Sequence, residues 1–203
     1  MSETGAVKFT AERAASIIAP FIALTELNNY RSKLRQQGLL GVDVNGISFG
    51  NISVRDGLSP QFFITASGSS GKDELRLNDF ARVTAWDFAR NWLRFEGASM
   101  ASSESLTHAA LYQADDNMGA VIHGHSLKIW TALLDQAPSA PAEIEYGTPA
   151  MALAVHDLLE TTNLRETKAF AMAGHRAGVV AFGKNLSEAY AALLGAMPPE
   201  ASS

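Results

Sequence analysis

No cysteine occurs among the 203 residues of this chain. That absence excludes disulfides, zinc–thiolate sites and thiol nucleophiles together. Any metal held here must be held by histidine and carboxylate. Charge is also sparse: Asp, Glu, Lys and Arg make up 18% of the residues, with a formal net charge of −5. No basic stretch exists to neutralise phosphates, so nucleic acid is not an expected partner. No apolar run approaches the roughly 20 residues needed to cross a bilayer, so no membrane is expected either. The opening "MSETGAVKFTAERAASIIAP" has no basic region followed by a long apolar run. No signal peptide is expected there, and the cytoplasm is the default compartment. Apolar residues at 47%, set against so little charge, fit an oligomer that hides part of its surface. Internal repeats and low-complexity linkers are lacking. The whole of residues 1–203 reads as one domain with a substantial core.

The early chain, from Thr10 to Gln37, carries apolar residues at helical spacing (Ala14, Ile17, Ile18, Phe21, Ile22, Leu24, Leu27), with Pro20 kinking it or dividing two helices. "QQGLLG" predicts its stop, with Gly38 as cap. Strand-like runs follow in hairpin-like succession: "GISFGNISVRD", "QFFITAS", "FARVTAWDF" and "NWLRFEG". A helix is predicted to open at "SSESLTHAALYQA", capped by Ser102 or Ser103. The strand "GAVIHGH" comes next, then a helix over Leu127–Leu134, a loop through Pro141, and the helix "TPAMALAVHDLLETT" with Pro149 in its first turn. "KAFAMAG" and "AGVVAFG" read as a strand pair and "NLSEAYAALLGA" as a last helix. This order predicts a mixed α/β layer fold and disfavours a purely parallel sheet.

His123 and His125 stand one residue apart at the end of an apolar strand, so both rings face the same side. His175 occupies a similar place, at the turn between two apolar strand candidates. Three neutral imidazoles with a carboxylate or water in the fourth place suit a catalytic divalent ion. Glu104 is the carboxylate of choice, because its helix feeds directly into the His-x-His strand and the helix N-terminus favours its ionised form. His108, four residues on, shares that helix face and reads either as a fourth ligand or as a partner orienting Glu104. His156, in mid-helix, reads as structural. Spacing alone leaves the first pair open between metal ligands and hydrogen-bonded structural histidines.

Taken together, the segments "GISFGNISVRD", "FFITASGSSGKDEL", "SSESLTHAALYQADDNMGAVIHGHS" and "GHRAGVVAFGKNLSEAY" resemble the class II aldolase/adducin head-domain family, over about Leu24–Leu194. That family includes fuculose-phosphate aldolases, pentulose-phosphate epimerases, a methylthioribulose-phosphate dehydratase, and the noncatalytic adducin head. The resemblance implies an α/β/α sandwich around a mostly antiparallel central sheet. It implies Zn²⁺ on His123, His125 and His175, with Glu104 as an acid/base that also ligates the metal when substrate is absent. It implies a phosphate cradle from Gly50 and Asn51, from Thr65, Ser67 and Gly68, and from Ser102 and Ser103. Glycine turns that expose N–H groups, together with hydroxyls and a helix N-terminus, make physical sense of such a cradle. It further implies a homotetramer with active sites at subunit interfaces. The shared chemistry of the family is chelation of a hydroxycarbonyl substrate and stabilisation of an enediolate.

The chain departs from the family pattern at three places. "GHRAGVV" puts Arg176 and Ala177 between His175 and Gly178, and Arg176 either pairs with a substrate anion or lies in solvent. The stretch between His125 and "YGTPAMA" is short; Tyr146 either stands in for a proton-donating tyrosine supplied there in fuculose-type aldolases or simply packs. The sequence stops at "GAMPPEASS", soon after the last predicted helix, where the tail that carries the family's second catalytic tyrosine has no counterpart. The reading is a zinc-dependent lyase acting on a small hydroxycarbonyl or sugar-phosphate compound, with aldol cleavage leading. Dehydration, epimerisation, decarboxylation and a noncatalytic adducin-like module are the alternatives. Ala66 and Lys72 in "TASGSSGK" permit a carboxylate in place of phosphate, and His₃ plus carboxylate also accepts Mn²⁺, Co²⁺ or Fe²⁺.

Overall fold

A computed structural model describes residues 7–198. The expectations about a leader at residues 1–6 and about the tail after Pro198 lie outside the described residues. Strand β1 (Thr10–Arg13) precedes helix α1 (Leu24–Gln36). In α1, Leu27, Arg31 and Leu34 recur at i, i+4 and i+7 and are the buried positions. Burying each leucine contributes about 1.5–3 kcal/mol. The helix ends in a Schellman motif: Gly38 N–H donates to the Arg35 carbonyl and Leu39 N–H to the Leu34 carbonyl, with Gly38 at φ +71°.

A small hairpin of β2 (Gly41–Val42) and β3 (Ser48–Phe49) leads into β4 (Asn51–Arg55), β5 (Phe62–Thr65), β6 (Phe80–Asp87) and β7 (Trp92–Glu96). Helix α2 (Ser105–Ala114) then returns the chain to β8 (Ala120–His125). Helix α3 (Leu127–Gln136) is capped by Ser126, whose hydroxyl accepts from Ile129 N–H at 3.2 Å. After β9 (Ser139–Ala140), helix α4 (Pro149–Thr161) opens with proline in its first turn and Thr148 as cap. A single turn, α5 (Leu164–Thr167), joins it to the antiparallel pair β10 (Ala169–Met172) and β11 (Gly178–Gly183), and α6 (Leu186–Gly195) closes the fold.

Nine strands form one sheet in the order β1-β7-β6-β5-β4-β8-β11-β10-β9. It is antiparallel except at its two edges, where β1 runs parallel to β7 and β9 to β10. Alternation along the central strands makes two cores. Val121, Val180, Phe170 and Met172 pack with α2 and α4, whereas Ile122, Val179, Ala171 and Ala181 pack with α1, α3 and α6. The result is the α/β/α sandwich expected from the sequence. His123 and His125 share the parity of Val121, so both imidazoles are committed to the α2 side.

The first stretch corrects the helical expectation. Thr10–Arg13 is an edge strand, and the helix starts only at Leu24. Of the apolar residues between them, Ile18 is buried and Phe21 stacks on Phe63 at 4.0 Å, whereas Ile17 and Ile22 are exposed. The backbone of β1 is satisfied by β7 and its flanks, with Thr10 N–H on the Asn91 carbonyl and Ala14 N–H on Phe95. A sheet edge some eighty residues away outweighs a local helical period. Among the described residues, no helix is long and apolar enough to cross a membrane.

Candidate metal centre

The register across four neighbouring strands builds the site. Asn51 of β4 pairs with His123 of β8, and His125 of β8 pairs with Gly178 of β11. The turn before β11 carries His175, whose N–H donates to the Met172 carbonyl at 2.9 Å. Its ring folds back over Gly178, where a Cβ would lie 2.1 Å from His175 Cδ2, so only glycine permits this turn. Gly50, at φ +73°, is equally constrained: a Cβ there would meet Leu40 at 2.2 Å and the His123 carbonyl at 3.0 Å. Both glycines press loops against the histidine strand.

One nitrogen from each of His123, His125 and His175 lies within 4.8 Å of the other two. His125 Nε2 and His175 Nε2 are 2.8 Å apart. His123 Nδ1 faces the Val179 carbonyl at 3.1 Å. A carbonyl only accepts, so Nδ1 carries the proton and Nε2 keeps its lone pair. Burial, with the neighbouring His125 and His175, holds the His123 imidazole well below its ordinary value. Burial, and then the charge of Lys8, brings His175 down to about 4. Imidazoles that converge with lone pairs available are the ligands a divalent ion takes, and this donor set fits one. Glu104, at 1% exposure, sits at the N-terminus of α2, and Thr107 Oγ1 donates to its Oε2 at 2.8 Å.

These residues share the wall of a cavity of about 670 Å³. Gly50, Asn51, Ser67, Gly68, Ser102, Ser103, Glu104, His123, His125 and His175 line it, as do Tyr146 and Arg176. Thr65 does not: its hydroxyl is buried and accepts the Ile52 N–H at 3.2 Å, closing the end of the β4–β5 ladder. Lys72 is also absent from the wall, because its ammonium binds Asp79 at 2.5 Å. Ser102 and Ser103 precede the cap rather than forming it. Glu104 takes that position, and Ser102 instead holds the preceding turn by accepting the Glu104 N–H at 3.4 Å. His108 turns toward β4, its Nδ1 2.7 Å from Ser53 Oγ, and Ser53 Oγ also meets Tyr112 OH at 2.8 Å. The hydrogen bond to Glu104 Oε2 comes from Thr107 rather than from His108. His156 is exposed on α4. Tyr146 packs its ring 4.4 Å from His175, with the Lys8 ammonium 3.6 Å from the ring on which it rests.

Two parts of the site were not singled out in the sequence. The β2–β3 hairpin forms one wall, its turn set by Asp43 Oδ1 accepting Asn45 N–H and Ile47 N–H, and Phe49 stacks on His125 at 5.2 Å. The "NG" of "VDVNGIS" is the hairpin signal that marks it. The second part is Arg31, 1% exposed, which donates to the carbonyls of Ser69, Ser70, Lys72 and Asp73 and so fixes the loop after β5. Burial, and then Arg35, lowers its guanidinium to about 10. No local pattern distinguishes this arginine from a solvated one. Ser70 Oγ, donating to the Gly50 carbonyl at 2.7 Å, ties that loop to the glycine turn.

The buried imidazoles make acid stability a test of this arrangement. Burial brings His108 down to about 3, and His175 stands at about 4, whereas both titrate near 6.5 once unfolded. Between those values the unfolded chain binds protons that the folded chain refuses, so stability is full above pH 6.5 and falls as pH drops. Each imidazole contributes a slope of about 1.4 kcal/mol per pH unit. Urea midpoints of metal-free protein at pH 7, 6 and 5 are expected to fall steadily, above the range where the carboxylates protonate. A flat profile across that window would mean that the histidines charge freely in the fold.

Comparison with known proteins agrees with this architecture. A methylthioribulose-1-phosphate dehydratase from Leptospira biflexa is 38% identical over 79 residues, a match covering 38% of this chain and 36% of that relative. A solved L-fuculose 1-phosphate aldolase superposes with a TM-score of 0.62 at 26% identity, covering 87% of this chain and 82% of its own. A sugar-phosphate aldolase from Thermotoga maritima shares the fold, with a TM-score of 0.65 at 19% identity and coverage of 86% and 90%. The family profile described as class II aldolase and adducin N-terminal domain matches residues 41–196, which takes in every wall of the cavity, and the chain belongs to that family.

Proposed function

We propose that this protein is a divalent-metal lyase, with zinc as its metal, acting on a small hydroxycarbonyl compound that carries an anionic group. The observation that carries this reading is the convergence within 4.8 Å of three imidazole nitrogens, from the buried His123 and His175 and the half-buried His125, beside a buried Glu104 on one cavity wall. His123, His125 and His175 would hold the ion. When bound, it supplies Lewis-acid stabilisation of the negative charge that develops on a substrate carbonyl oxygen. Glu104 takes the proton from carbon and returns it, held in place by the Thr107 hydroxyl. The hydroxyls of Ser67, Ser102 and Ser103 and the turns at Gly50 and Gly68 receive the substrate's phosphate, with Asn51 beside them. Aldol cleavage is the leading reaction. Dehydration is the second reading, favoured by the partial match to the Leptospira dehydratase. A homotetramer is the proposed assembly, for which exposed Ile17, Ile22, Val44 and Leu58 offer apolar surface, and the cytoplasm the proposed compartment.

Elemental analysis of the purified protein tests the reading. About one equivalent of divalent metal per chain is expected, and its loss from a His123→Ala/His125→Ala variant that keeps its circular dichroism spectrum. A parent that holds no metal even after zinc is added back would overturn the lyase and leave an adducin-like binding module as the better account.

A further inference from the structure

The strand order lays the cavity rim out in a line. β5 runs out into Ser67 and Gly68; its neighbour β4 begins at Asn51; β8 ends at His125; β11 begins at Gly178, directly after the turn that holds Arg176. Neighbouring strands stand ~4.8 Å apart, so the serine–glycine loop and the Arg176 turn are separated by about 14 Å, three strand steps, with the histidines between them. Arg176 is exposed and lies on the cavity wall, and the gap leaves room for a substrate of a few carbons.

Arg176 is the lysine or arginine of the cavity wall; all other lysines and arginines among the described residues lie outside it. Its guanidinium has no ion-pair or hydrogen-bond partner among the described residues. The two acids of the wall are engaged elsewhere, Asp43 by Asn45 and Ile47 and Glu104 by Thr107. The turn that presents Arg176 is held firmly. Ala177 adopts φ +66°, a left-handed conformation that costs a non-glycine residue on the order of 1 kcal/mol. Its carbonyl accepts the Ser126 N–H at 2.8 Å, and Gly178 N–H closes onto the His175 carbonyl at 2.8 Å. The N–H groups of His175 and Gly178 are used within the fold, on the carbonyls of Met172 and His175. What Arg176 offers the cavity is a single planar charged fork, which pairs bidentately with an oxyanion such as a carboxylate.

Resting on the metal-centre reading above, we infer that Arg176 binds a substrate carboxylate on the far side of the histidines from the serine–glycine loops. The substrate class is then a hydroxycarbonyl compound with two anionic ends, phosphate at Ser67–Gly68 and carboxylate at Arg176. Arg176 is a specificity residue.

Isothermal titration of the zinc-loaded full chain with two matched probes tests this. Erythronate 4-phosphate and erythritol 4-phosphate are alike except that a carboxylate in the first is a hydroxymethyl group in the second. The wild type is expected to prefer erythronate 4-phosphate by about tenfold or more, the factor for one charge-assisted pair. Arg176→Met should bring that preference within about threefold and leave the affinity for erythritol 4-phosphate nearly unchanged, with Arg176→Lys in between. An undiminished preference in Arg176→Met, an equal loss for both probes, or a wild type that binds neither overturns the inference. Metal content is read on the same samples. One equivalent in both proteins with an undiminished preference sinks the carboxylate site alone, whereas no metal in the wild type sinks the metal centre beneath it.

Discussion

If the proposed lyase enolises dihydroxyacetone phosphate, Glu104→Gln is expected to lower the rate of solvent-hydrogen exchange into it by about 10²–10⁴-fold, the usual worth of a positioned acid/base. The substitution is nearly isosteric, and glutamine keeps an oxygen to accept from Thr107 Oγ1, the donor now 2.8 Å from Glu104 Oε2. What it removes is a carboxylate able to carry a proton at the N-terminus of α2. Exchange into the carbon-bound positions, followed by proton NMR in deuterium oxide, reports proton abstraction before any carbon–carbon bond is cleaved. Metal content and the urea midpoint should stay close to the parent's. A variant that keeps its exchange rate within tenfold would move the base elsewhere on the wall, with Tyr146 next in line.

The second large effect is on stability and comes from Arg31. Arg31→Met keeps the length and apolar stem of the side chain and removes every donor. The carbonyls of Ser69 and Ser70, both in buried residues, then lose their partner, while those of Lys72 and Asp73 turn toward water. At ~1–3 kcal/mol for each buried carbonyl left unpaired, and with some relief from no longer burying a charge, the expected loss is about 2–4 kcal/mol. The urea midpoint reads it directly. Because the same loop bears Ser67 and Gly68, affinity for inorganic phosphate should fall with it. A variant as stable as the parent would show that Ser70 and Gly50 alone hold the loop.

The parts of the molecule that were legible in the sequence are those where one segment contains its own reason. "GAVIHGH" is a short apolar run, so its strand follows from composition and the shared side of its two histidines from the strand's period of two, and β8 bears this out. "QQGLLG" ends α1 as its glycine predicts, and Pro149 opens α4. The first thirty residues misled because Ala14, Ile17, Ile18 and Phe21 happen to fall at helical intervals, whereas the backbone of Thr10–Arg13 finds its partner in Trp92–Glu96. Family resemblance places Thr65 in the phosphate cradle, yet it lies off the cavity wall, its hydroxyl accepting the Ile52 N–H at the end of the β4–β5 ladder. His108 was paired with Glu104 through its i+4 spacing, and its Nδ1 instead meets Ser53 on another element.

The sequence by itself determined the layer class, most of the helices and strands, the exclusion of thiolate chemistry, and the list of side chains able to ligate a metal. Period, cap and composition are local properties, and they are complete within a dozen residues. Only the tertiary structure decided that His175 turns back over Gly178 to meet His123 and His125. The same holds for Arg31, which is buried beneath the loop after β5, and for Arg176, which stands across the cavity from that loop. Those placements depend on strand order, register and side-chain hydrogen bonds, which join residues 38 or more positions apart. No short stretch of sequence carries that pairing.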